Sequence, residues 1–178
     1  MEEFSIEIDG DIELIKEIER QKDKVVDIVR RKVRVTAEQI KQEARRNINK
    51  NPFSQKNIND TGTLKRSIQA DSKDNWLTAE VGTSTAAEYA PHIEFGTAPH
   101  PVSIEHLWNW VARKILNISP STQDSDLRSQ IFIAAKSIAK KIGKKGTKAQ
   151  PFLRPASKKY LNNFGAKLAE AIKRGIRT

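Results

Sequence analysis

His92, His100 and His106 fall within fifteen residues of one another, with Glu94 and Glu105 among them, so metal chemistry is the first possibility to weigh. The His-x-Glu pair His92/Glu94 is one that zinc deaminases use, but their paired cysteines are impossible in a chain without cysteine. On a helix, residues two apart diverge by about 200°, so these two side chains would not share a ligand. His100 stands between Pro99 and Pro101, and His106 falls in the first turn of a helix, where capping or interface roles fit better. Nucleophilic catalysis has no support either. Cysteine is absent, and no Gly-x-Ser-x-Gly turn presents a serine. Gly143-Lys144-Lys145-Gly146-Thr147-Lys148 superficially resembles a phosphate loop, but a Walker loop needs four residues between its glycines and a buried strand before it. The reading is therefore a non-enzyme with no catalytic residue, metal site or cofactor.

Charge is the next clue. The net charge is +10, and residues 128–178 contain fourteen Lys/Arg against the single acid Glu170. Residues 1–20 hold eight acids and two bases. Such asymmetry serves nucleic acid or complementary contacts between copies. Lys136, Lys140, Lys144, Lys145 and Lys148 are the candidates to meet DNA or an acidic partner. Aromatics do not interleave with these lysines, so any DNA contact would be to the backbone, without sequence preference. No apolar run reaches the roughly 20 residues of a membrane span, and the acidic start lacks a signal core.

The elements that would position these residues read as α+β. Phe4, Ile6 and Ile8 alternate as in a short strand, and Gly10 turns the chain. No Gly or Pro intervenes before Pro52, so a helix of about 35 residues follows, roughly 50 Å long. Its main stripe includes Val33, Ala37, Ile40 and Ala44. A thinner stripe of Leu14, Ile28 and Val35 implies a neighbouring subunit, as does Trp110 at the edge of a later helix. Residues 67–72 and 76–83 form an antiparallel pair joined around 71–74, with Trp76 and Leu77 among the apolar strand positions. Thr61 or Thr63 caps the turn before it. Tyr89, Ile93 and Phe95 anchor a short helix begun by Pro91 and stopped by Gly96. Ser103 caps a helix carrying Ile104, Leu107, Trp108, Val111 and Ile115, and a second helix carries Leu127, Ile131, Ala135, Ile138 and Ile142. One last helix from Pro155 turns Leu161, Phe164, Leu168 and Ile172 inward. The whole is one domain: a small antiparallel sheet against a long N-terminal and a C-terminal helix, core about 1–97 and 149–178, with a two-helix insertion at about 98–148.

Four blocks stand in order: Ile6-Glu7-Ile8-Asp9-Gly10; Thr61-Gly62-Thr63-Leu64-Lys65-Arg66-Ser67-Ile68; Tyr89-Ala90-Pro91-His92-Ile93-Glu94-Phe95-Gly96-Thr97; and Gln150-Pro151-Phe152-Leu153-Arg154-Pro155-Ala156. Together they resemble the tail-completion, or head–tail joining, family of small neck and tail-component proteins of tailed bacteriophages. The resemblance implies a virion protein, made in the host cytoplasm, that forms a ring, often of six copies. That ring would join a head connector or adaptor to tail-tube or tail-terminator proteins and let DNA pass. It also implies that Glu94, Phe95, Gly96 and Thr97 are a structural turn, and Pro151, Phe152, Leu153 and Pro155 a strand-to-helix anchor. The alternative is a basic, non-sequence-specific DNA-binding accessory protein.

Overall fold

The computed structural model describes residues 12–177. The strand expected at Phe4, Ile6 and Ile8 lies outside them. The long helix is α1, Ile12–Asn49, and with 38 residues it runs about 57 Å. Its C-terminal half buries Ala37, Ile40, Ala44 and Ile48, spaced three or four apart as a single face requires. It stops where Pro52 could not continue it. Asn51 closes the end: its Oδ1 accepts from the Phe53 and Ser54 amides at 3.0 and 3.1 Å.

The chain returns through α2 (Thr63–Ser67) into β1 (Ile68–Lys73) and β2 (Thr78–Thr83), an antiparallel pair with Ile68 opposite Thr83 and Lys73 opposite Thr78. No threonine caps α2. Thr61 and Thr63 bond each other instead, and Gly62 enters the turn at φ 86. The hairpin turn lies later than expected. Asp74, Asn75 and Trp76 all take positive φ, so Trp76 and Leu77 belong to the turn and not to a strand. Ser72 Oγ accepts from the Trp76 amide at 2.9 Å, and the Arg34 guanidinium lies 5.5 Å from the indole centroid.

After α3 (Ala90–Phe95) come α4 (Ile104–Trp110) and α5 (Ser125–Lys145). Ser103 caps α4 as expected, and Asp124 caps α5. The expected straight run to Ile115 is broken: residues 111–116 widen into a π-helical turn that ends at Asn117, φ 54, and leaves Ile115 exposed. Val111, Ala112, Ile131 and Ala135 are fully buried between these helices, with Ile104, Leu107, Trp108 and Ile138 around them. This is a second apolar cluster, apart from the main one. Arg113 ties it to the main body through Asp60 at 2.6 Å; that carboxylate raises the guanidinium pKa by hydrogen bonding.

The last helix is in fact two, α6 (Leu153–Leu161) and α7 (Phe164–Ile176), separated at Asn162 and Asn163. Leu161, expected inward, is exposed at this break. Both helices pack on α1, as do both strands. The main core lies between these layers: Ile40, Ala44, Ile48, Leu64, Ile68, Ala87, Ala90, Phe152 and Ala156. Lys159 on α6 meets Glu43 on α1 at 2.7 Å, and this bond raises the lysine pKa.

Candidate functional site

Two of the four sequence blocks meet at one point, the N-terminus of α6. A helix start leaves about four backbone N–H groups without intrahelical partners. Here they belong to positions 152–155. Phe152, the residue before the helix, has no side-chain cap to offer. Glu94, from α3, supplies it. Its Oε2 accepts from the amides of Phe152 and Leu153 at 2.7 and 3.0 Å, and its Oε1 accepts from the amide of Arg154 at 2.9 Å. The fourth position is Pro155, which has no N–H to satisfy. All four are thus accounted for. The negative carboxylate also lies at the positive end of the helix dipole, a favourable placement.

Arg154 completes the contact. Its Nε donates to Glu94 Oε1 at 3.1 Å and its Nη2 to the Glu94 carbonyl at 3.0 Å, while its guanidinium lies 4.8 Å from the Phe95 ring centroid. The carbonyls of the same stretch are held from the other side. Asn47 Nδ2 donates to Phe152 O at 2.8 Å, and Asn51 Nδ2 to Pro151 O at 3.0 Å. Both asparagines are buried, Asn47 on the core-facing stripe of α1 between Ala44 and Ile48 and Asn51 just past the end of that helix. Phe152 itself is 2 % exposed.

Beside this junction the chain crosses itself. Thr97 and Thr147 exchange backbone hydrogen bonds at 3.1 and 3.2 Å, an isolated antiparallel bridge. Gly96 and Gly146 flank it at φ 74 and 67. A Cβ at Gly96 would lie 2.5 Å from Thr147 O, and one at Gly146 only 1.9 Å from Thr97 O. Both positions need glycine for φ and for room.

The arrangement has no reactive group to offer. Both Glu94 oxygens are occupied by donors, leaving it poorly placed as a general base. His92, His100 and His106 are exposed, and His100 Nδ1 lies 2.9 Å from Ala98 O. An open cleft of about 690 Å³ runs between His92, His100, Gly96 and Lys148. No group of three or more His, Asp or Glu side chains able to hold a metal exists among the described residues. No helix among them is long and apolar enough to cross a membrane.

The remaining sequence candidates are placed as follows. Leu64 and Ser67 are buried in the core, Ser67 Oγ donating to Leu64 O at 2.8 Å. Tyr89 and Phe95 are exposed, Phe95 lying against the Arg154 guanidinium and not in the core; Ala90, Ile93 and Glu94 hold α3 instead. Of the thin stripe on α1, Ile28 is buried within the chain beside Gly175 of α7, so the chain itself covers that position. Val35 and Trp110 remain exposed, and the side chain of Leu14 is outside the described set. Lys136, Lys140, Lys144, Lys145 and Lys148 are all exposed. Sequence reasoning missed Asn47, Asn51 and Arg154. For Asn47 a signal was present, a polar residue on the otherwise apolar stripe of Ala44 and Ile48.

The class is therefore a helical α+β unit whose most elaborate polar arrangement is architectural. Residues 12–96 match the family model HK97-gp10-like, described as "Bacteriophage HK97-gp10, putative tail-component". Over that stretch the chain is similar to this family, and the resemblance to phage tail components is borne out there. The match takes in α1, the hairpin and α3 with Glu94; the Pro151–Pro155 block lies beyond it. No curated protein and no solved structure matches the chain.

Proposed function

We propose that this protein is a structural, non-enzymatic component of a tailed-phage virion. In this reading it forms a ring at the head–tail junction, joins the head connector to the tail and leaves a channel for DNA. The tail-component family match over residues 12–96 carries the reading. Two features agree with it: a polar junction that fixes backbone and holds no free catalytic group, and a chain with acidic and basic ends suited to head-to-tail contacts between copies. The neighbours would be copies of itself, the connector or adaptor on one side, and tail-tube or terminator proteins on the other. The exposed lysines of α5 and its following turn would face passing DNA or an acidic partner. No observation favours a free-standing DNA-binding accessory.

The test is a phage lacking this gene. Electron micrographs of lysates should show filled heads and finished tails that are not joined, and purified protein should restore joining. Normal joined particles without the protein, or its absence from purified virions, would sink the proposal.

A further inference from the structure

The sheet has two strands, and among the described residues the outer edge of β2 pairs with no other strand. Beside that edge lies a cleft of about 370 Å³. Its floor is Val33, Ala37 and Ile40 of α1; one wall is Ala79 and Val81 of β2, and the other includes Phe164 of α7. No β1 residue lines it, so it follows the free edge. A strand edge with open N–H and C=O groups beside an apolar trough is a site for strand addition, where alternate side chains fill the trough.

Phe4, Ile6 and Ile8 have that alternation, with Ser5, Glu7 and Asp9 on the opposite face. The chain's own copy of this segment does not reach. Val33 lies 21 residues beyond Ile12 on a helix, about 31 Å, and Ile40 about 42 Å. Back from Ile12, fully extended chain covers about 14 Å to Ile8 and about 27 Å to Phe4. The three side chains of one copy cannot lie together along its own cleft. A second copy has no such limit. Charge agrees: residues 1–11 hold five acids and no base, while Arg34 and Lys158, next in sequence to lining residues, are exposed. Glu80, on the outer face of β2, is already paired with Lys73.

We propose that residues 4–8 of a neighbouring copy lie in this cleft as a strand added to the free edge of β2. This deepens the ring reading by naming the contact between copies, and rests on it only in requiring that copies meet. Because the chain lacks cysteine, the test is direct. Full-length Ile6→Cys and Ala79→Cys proteins are co-expressed during infection and the lysate is treated with a short bis-maleimide. A heterodimer should form at about tenfold the level of homodimer from either variant alone, as the millimolar effective concentration of a docked segment requires. Thr78→Cys serves as a second acceptor should Ala79→Cys fold poorly. No heterodimer with either acceptor overturns the inference, as does a doubly substituted Ile6→Cys/Ala79→Cys chain that cross-links only within itself. Whether the protein is present in the purified virions is scored separately and reports on the ring reading alone.

Discussion

Four donors surround the Glu94 carboxylate at 2.7 to 3.1 Å, and three of them are amides with no other acceptor in α6. Glu94→Gln keeps one acceptor oxygen but turns an NH₂ toward amides that also donate. Leaving one or two buried donors unsatisfied costs about 2–4 kcal/mol in sum. For a chain of this size that lowers the melting temperature by roughly 5–15 °C. Arg154→Ala, whose side chain is 56 % exposed, should cost far less. A differential scanning experiment checks both, and an unchanged midpoint for Glu94→Gln would show that the cap matters little. In the sequence Glu94 reads as part of a turn beside histidines. Its partners stand 58 to 60 residues further on, a distance over which local pattern says nothing.

At the level of elements, periodicity made α1 and the two α4–α5 helices legible, because each buries one face at regular spacing. It failed where the backbone leaves its regular path. Trp76 and Leu77 read as strand positions because apolar residues in a tight turn look the same in sequence as those in a strand. The break after Leu161 was missed because two asparagines carry no obligatory stop signal. Proline restricts backbone wherever it stands, and Phe152, between Pro151 and Pro155, is buried. Phe152→Ala should therefore cost about 3–5 kcal/mol in a urea titration, among the larger core truncations. The two glycines of the lysine-rich turn should part company. Gly143 is helical and its added Cβ would meet only His100 O at 3.9 Å, so Gly143→Ala should stabilise by about 0.5–1 kcal/mol. Gly146→Ala should destabilise by more than about 2 kcal/mol, through positive φ and the Thr97 clash together. Equal effects in the same titration would mean the crossing relaxes freely.

For the whole molecule, the Thr97–Thr147 bridge closes the main body across the base of a helical pair that has its own buried cluster. Replacing residues 99–145 by a short Gly/Ser link should leave a protein that still unfolds cooperatively by circular dichroism, having lost the Arg113–Asp60 tie but none of the main core. A molten product would show that the two clusters depend on each other. The same long-range closure has a consequence for synthesis. Asn47 waits for a partner 105 residues later, and Phe152 and Ala156 fill the space against Ile48. At ribosomal speeds of about 5–20 residues per second, that is roughly 5–20 s during which a finished helix lies with part of its apolar stripe uncovered. The nascent chain is at its most vulnerable to sticking in that interval.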